Sequence, residues 1–297
     1  MENGRERAEA RRGLLEVVLA MAFAGSSVVV GKLLATRVPV FLSVELSLCA
    51  ALVAILPAQW ARRQELRLLG RRELAYMLLQ ALFGIVLFRV LTLYGLHFTT
   101  ALSAGIITSA APAVMALLAS TLMRERLSPG AVAGLALCVV GLLAVNLRGL
   151  SPGPGRGSLG GNLLVLAATV CEALLTIFRK RSGGRIGSVT NTTVLVGISA
   201  VLMLPFALGD LGRFPLRQID PVAWLSILYY GAVATVIAYV LWGHGALRIP
   251  ANRTGIATAA LPVTAVILSA LVLGEPLQPT HVAGSVTVIA GIIVANF

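Results

Sequence analysis

Charged side chains are scarce in this sequence: Asp, Glu, Lys and Arg make up 12% of its 297 residues, against 58% apolar. So little charge cannot clothe a water-facing surface, which excludes an ordinary soluble domain and makes a bilayer the implied solvent. Cysteine is nearly absent too. Cys49, Cys138 and Cys171 lie inside apolar runs with neither disulfide-framework nor CxxC metal spacing, so they read as packing residues. The sequence has no GxxxxGK[ST] phosphate loop, no HExxH and no Gly-x-Ser-x-Gly elbow. These absences argue against ATP-driven work, zinc hydrolysis and serine-type acyl transfer by this chain. Nor does the net charge of +12 point to nucleic acid, because the basic residues form short clusters without an aromatic-rich basic face.

What the sequence does have is apolar runs of roughly 20 residues, the length that crosses about 30 Å of hydrocarbon. Ten can be marked: Leu14 to Ala35, Val40 to Trp60, Leu74 to Tyr94, Thr99 to Met123, Gly130 to Leu147, Leu159 to Phe178, Ser188 to Leu208, Pro221 to Gly243, Gly255 to Leu273 and Thr280 to Asn296. Prolines at 39, 129, 221 and 279 punctuate the joints. The first run is too long for a cleaved signal peptide and ends without a small-x-small site, so it reads as a retained span.

The chain also repeats itself. Shifted by 150 positions, 18 of the 58 residues from Arg89 to Asn146 are identical to those from Tyr239 to Asn296. The matches include Gly95 and Gly245, Gly105 and Gly255, Pro112 and Pro262, Glu125 and Glu275, Gly134 and Gly284, and Gly141 and Gly291. Five spans per copy is an odd number, so the second copy must enter the membrane from the opposite side. The expected fold is therefore an all-α polytopic membrane protein of ten transmembrane helices in two inverted five-helix repeats. Residues 1–13 form a cytoplasmic tail, 14–147 the first repeat, 148–158 a Gly/Pro-rich linker and 159–297 the second repeat. With the N-terminus inside, cytoplasmic segments hold 17 basic residues and the other side 6, with Arg89 left within a span. That bias predicts that both termini are cytoplasmic.

The fourth and ninth spans are rich in small residues and carry a proline, at Pro112 and Pro262. Small side chains let helices approach closely in lipid, and proline bends them. Gly105, Pro112, Gly255 and Pro262 are thus candidate bending or gating positions, set against the ordinary enrichment of Gly and Pro in membrane helices.

A small-rich helix with a central proline, then Met-Arg-Glu-Arg-Leu-Ser-Pro at 123–129 or Leu-Gly-Glu-Pro-Leu-Gln-Pro at 273–279, then a Gly-spaced last helix, resembles the EamA-type repeat. That repeat belongs to the bacterial drug/metabolite transporter superfamily. The resemblance covers nearly the whole chain, and it is broadly similar to the aromatic amino acid exporter branch. It implies ten helices, inverted halves, an inner-membrane location and export of amino acids or related metabolites. It places the glutamate of the helix-end motif at Glu275, with Glu125 as counterpart. The preceding glycine is kept as Gly274 and replaced by Arg124 in the first copy.

Charges inside spans are the chemical candidates, because exposing one to lipid costs roughly 2.5–3.5 kcal/mol. Glu45 and Arg89 each lie about five residues from the outer end of their spans, at about the same depth. They are expected to pair or jointly to line a polar pathway; the bland reading is a structural ion pair or, for Arg89, snorkelling. Glu172, about thirteen residues into its span, suits a proton or substrate role, or a buried glutamate that only orients helices. Glu16 reads as interfacial. Tyr230 and Tyr239 offer ring faces and hydroxyls to a substrate; Trp242 and His244 follow them towards the span end, where an interface anchor and a water-facing ring are the plainer readings.

The expected function is secondary transport of small metabolites, most of all amino acids, out of the cell by alternating access around a pocket between the repeats. No cofactor or metal is expected, and proton coupling is an open alternative to facilitated diffusion. The partners are the bilayer and small polar or aromatic metabolites, not nucleic acid, with a monomer sufficient. A channel-like uniporter or multidrug exporter would use the same architecture. A lipid-modifying enzyme or scramblase would need converging catalytic groups near an interface, for which Glu16 with His244 is the candidate.

Overall fold

The computed structural model describes residues 2–122, 128–146, 158–182 and 186–295. All regular structure among them is helical. The helices are α1 (Glu2–Ala35), α2 (Val40–Trp60), α3 (Arg71–Phe98), α4 (Ala101–Leu122), α5 (Pro129–Asn146), α6 (Leu159–Ser182), α7 (Ser188–Leu211), α8 (Pro221–Gly245), α9 (a short Ala251–Ala257 and a longer Ala260–Leu273) and α10 (Pro279–Ala295). Seven of them, α1 to α4 and α6 to α8, are long and apolar enough to cross a membrane, while α5, the longer part of α9 and α10 are shorter apolar helices. Several run past the apolar stretches marked in the sequence, as α3 does at both ends, because a helix continues through the polar residues that carry it into water.

Local chemistry sets the helix starts. Each leaves backbone N–H groups without an internal acceptor, and at four of them the side chain of the residue just before supplies one. Thr100 accepts from Ser103 N at 3.0 Å, Ser128 from Ala131 N at 3.1 Å, Ser158 from Gly161 N at 3.0 Å and Asp220 from Ala223 N at 2.9 Å. Donation from Ala223, then from Arg37, holds the Asp220 carboxyl below the usual carboxylate range. Gly274 ends α9 in the left-handed region, φ 64°, where a residue without Cβ is at ease.

The expected bends are complete breaks. α4 divides at Ser109–Ala110 into Ala101–Thr108 and Ala111–Leu122, and α9 divides at Thr258–Ala259. Pro112 and Pro262 fall in the first turn of the second piece, where the missing N–H costs no helical bond. Gly105 sits on the first piece of α4, close to Ala265 of α9, and Gly255 lies in the first piece of α9. A second irregularity was not foreseen. α3 contains a π-helical stretch at Leu82–Leu87 and α8 another at Tyr229–Ile237. The first, shifted by 150, falls on the last six of the nine residues of the other.

Contacts between the two halves follow the repeat. A Cβ added to Gly134 would sit 2.5 Å from the Gly291 carbonyl oxygen, and one on Gly141 2.9 Å from that of Gly284, so α5 and α10 cross antiparallel on register-related glycines. Gly95 of α3 presses on Gly161 and Val165 of α6; its counterpart Gly245 of α8 presses on Gly13 and Val17 of α1. Each half's first helix therefore packs on the third helix of the other.

Polar links gather at the two ends of the bundle. At one end Arg37 pairs with Asp220 at 2.9 Å, Thr99 donates to Asn162 at 2.5 Å, and Lys32 donates to the carbonyls of Leu96 and Thr99. At the end where α1 starts and α10 finishes, Glu65 accepts from Gly187 N at 3.0 Å and Arg181 donates to the Leu122 carbonyl at 2.9 Å.

Candidate substrate site

Arg89 is 5% exposed on α3. Its guanidinium donates to Ser47 Oγ of α2 at 2.9 Å and to Thr235 Oγ1 of α8, and its carbon lies 4.8 Å from the centre of the Tyr230 ring. Both hydroxyls pass the bond on: Ser47 donates to the Val44 carbonyl at 2.7 Å and Thr235 to that of Tyr230 at 2.7 Å. Among the described residues no carboxylate neutralises Arg89. A fixed cation held by neutral oxygens and a ring face, away from lipid, has the chemistry to receive an anionic group.

The expected Glu45–Arg89 pair does not form. Glu45 is buried, its Oε1 accepts from Cys49 Sγ at 3.6 Å, and its Oε2 has no partner. Equal depth is not equal direction. Ser47, the residue Arg89 does reach, stands two positions from Glu45, roughly 200° around the helix. The two charges thus belong to different faces of α2.

Around Arg89 the other candidates divide. Tyr239, the register mate of Arg89, lies within electrostatic reach of it, and both tyrosines also lie within reach of Glu172 of α6. Arg179, two turns further along the same face of α6, lies within electrostatic reach of Tyr239 and close to Gly243 of α8. Tyr230 packs against α1, where a Cβ on Gly31 would lie 3.6 Å from its ring. The constellation thus draws on α1, α2, α3, α6 and α8, from both halves, and joins a cation, an acid and a pair of tyrosines. Both Arg89 and Tyr239 follow a π-helical stretch by two residues.

The remaining candidates sit elsewhere. Trp242 packs near the α8 end against Val17, Ile249 and Ala257, and His244 is half-buried beyond it. Glu275 is a helix-end residue: its carboxylate accepts from Ala101 N and Leu102 N, both at 2.8 Å, at the start of α4. A carboxylate there answers two orphan donors and the positive end of the helix dipole. Its counterpart Glu125 lies outside the described residues. Glu16 is bound by Arg12 at 3.1 Å and by Arg248, which removes it as a free partner for His244. No group of three or more metal-ligating side chains occurs among the described residues. Cys138 and Cys171 are buried as expected, but Cys49 is exposed.

Sequence reasoning missed Ser47, Thr235 and Arg179. The two hydroxyls carry no charge to draw attention among the many Ser and Thr of these spans. Arg179 counted as a loop charge because the apolar run ends at Phe178, yet α6 continues to Ser182 and brings it close to Gly243 of α8.

A model described as the EamA-like transporter family matches the chain twice, over residues 11–147 and 159–297. The uncharacterized transporter YetK of Bacillus subtilis is 37% identical over 281 residues, 94% of this chain and 85% of that protein. A probable amino-acid metabolite efflux pump of Salmonella typhimurium is 30% identical over 181 residues, 58% of this chain and 60% of that protein. One crystal structure aligns with a TM-score of 0.62 over 98% of this chain and 96% of its own at 20% identity, a likeness of fold alone. This multi-pass membrane chain, built of two matching halves, belongs to the EamA-like transporter family.

Proposed function

We propose that the chain exports amino acids by alternating access, with Arg89 taking the carboxylate, Glu172 the ammonium and the Tyr230 and Tyr239 rings one wall of the side-chain pocket. The observation that carries this reading is Arg89: a buried guanidinium with neutral partners, placed where helices of both halves meet. An α-amino acid supplies opposite charges and an apolar group, which is the complement of a cation, an acid and two aromatic rings. The amino-acid efflux pump among the relatives supports the same substrate class.

In this reading all ten helices cross the inner membrane with both termini cytoplasmic, and the halves are inverted. The antiparallel crossing of α5 and α10 on register-related glycines supports inversion. Arg89 and Tyr230 are 5% and 6% exposed, so access to them requires the halves to move. The fixed charges need no cofactor, and one chain contains the complete constellation.

Purified protein in liposomes loaded with radiolabelled L-phenylalanine, L-leucine, L-threonine or L-lysine tests the proposal. Saturable, countertransported efflux of at least one neutral amino acid is the expected result. Unsaturable flux would favour a channel, and movement of labelled phospholipid without amino-acid flux would favour a scramblase; either outcome overturns the proposal.

A further inference from the structure

The Arg89 site is tied to an irregular backbone. Thr235 lies inside the π-helical stretch of α8, and its hydroxyl donates to the carbonyl of Tyr230, five residues back, at 2.7 Å. A threonine in an α-helix reaches carbonyls three or four residues back. The longer reach therefore belongs to the π geometry. The same hydroxyl oxygen accepts from Arg89, and Tyr230 supplies the ring beneath that guanidinium. Ser47 does the equivalent on α2, donating to Val44 while accepting from Arg89. The two helices are already close: a Cβ on Gly231 would lie 2.4 Å from the Ser47 carbonyl oxygen. Arg89 thus holds α2 and α8 to α3 through two hydroxyls.

We propose that Thr235 is a positioning residue that couples occupation of Arg89 to the shape of α8. A substrate carboxylate competes for the guanidinium donors that Ser47 and Thr235 accept in this conformation. Once Thr235 loses Arg89, the π stretch loses a support, and tightening to α removes the extra residue from the turn. That change rotates everything on one side of it, Tyr239 included, by about 100° relative to the other. Substrate binding would in this way drive a defined movement of α8 against α2 and α3. The inference rests on the amino-acid reading of the Arg89 site.

Thr235→Val removes the hydroxyl at nearly constant shape, and Thr235→Ser restores it. L-phenylalanine is the probe, with equilibrium binding, countertransport and hydrogen exchange of residues 229–237 measured on each preparation. For Thr235→Val the expected result is L-phenylalanine binding equal to or tighter than wild type, with transport slower by about ten-fold or more. Its exchange pattern over 229–237 without ligand should match that of ligand-bound wild type, and Thr235→Ser should return all three readouts towards wild type. Wild-type transport by Thr235→Val, or equal loss of binding and transport that Thr235→Ser does not recover, would overturn the coupling role. If Arg89→Gln bound L-phenylalanine as wild type does, the carboxylate reading itself would fall, a result distinct from either.

Discussion

Arg89→Gln is expected to slow amino-acid transport by about 100-fold or more while leaving the melting temperature within a few degrees of wild type. Hydrogen bonds to a charged group contribute about 1.5–3 kcal/mol each. A carboxylate bound through two guanidinium donors thus loses about two to four orders of magnitude when they are removed. Stability responds differently. The substitution discards bonds to Ser47 and Thr235, but it also removes an un-neutralised cation from a membrane interior, which costs roughly 2.5–3.5 kcal/mol. The two effects are of similar size and opposite sign. Arg89→Lys keeps the charge but not the planar fork, so it should fall between the two, with a loss of about ten-fold. Initial rates in liposomes and thermal unfolding in detergent check both halves. Transport by Arg89→Gln within three-fold of wild type would show that the substrate does not use this residue.

Gly291→Leu should have the opposite profile, a fold effect far from the charges. A Cβ at Gly291 would lie 2.7 Å from the Gly134 carbonyl oxygen and 2.8 Å from Cys138 Sγ. Backbone cannot yield as a flexible side chain can, so α5 and α10 must separate. Overpacking of this kind costs about 3 kcal/mol, the upper end of its usual range, and here it acts on the helix pair that joins the ends of the two halves. Gly134→Leu should be as damaging, because its Cβ would meet the Gly291 carbonyl at 2.5 Å. Gly197→Ala in α7 is the control. Nothing lies within 4 Å of its Cβ, and alanine is the better helix former by about 1 kcal/mol, so no loss is expected. Yield and thermal unfolding distinguish the pair from the control. Equal tolerance at 291 and 197 would deny that the glycine crossing holds the halves together.

The residues that announced themselves in the sequence were those with a large transfer cost or a backbone constraint. Pro112 and Pro262 marked both helix breaks, although the chain interrupts the helix two to four residues earlier so that each proline falls in a first turn. Arg89 stood out as a cation with nowhere to go, and its burial follows. Its partners did not stand out. Depth along a helix can be counted from a sequence, but azimuth depends on how each helix is turned towards its neighbours, and the Glu45 pairing failed on that point. Lys32, counted with the outer-side charges although it falls inside the first apolar run, and Arg179, counted with the cytoplasmic ones, both turn back onto neighbouring helices from helix ends. The two π stretches have no hydrophobic period that separates them from the surrounding α-helix, so the feature that positions Thr235 was invisible until the backbone was seen. Tyr230 and Tyr239 were chosen for their rings and depth; the Tyr230 ring lies under the Arg89 guanidinium, and Tyr239 lies within electrostatic reach of Arg89 and Glu172.

One site is proposed to read both charges of an amino acid, Arg89 one and Glu172 the other. The sharpest check is equilibrium binding of L-phenylalanine, 3-phenylpropionate and phenethylamine to wild type and to Glu172→Gln, because the last two ligands each lack one charged group. Wild type should prefer L-phenylalanine to both analogues by about ten-fold or more, one charge-assisted bond's worth. Glu172→Gln should bind L-phenylalanine and 3-phenylpropionate alike while still rejecting phenethylamine. Phenethylamine binding as tightly as L-phenylalanine, or an undiminished preference for the zwitterion in Glu172→Gln, would contradict the proposal.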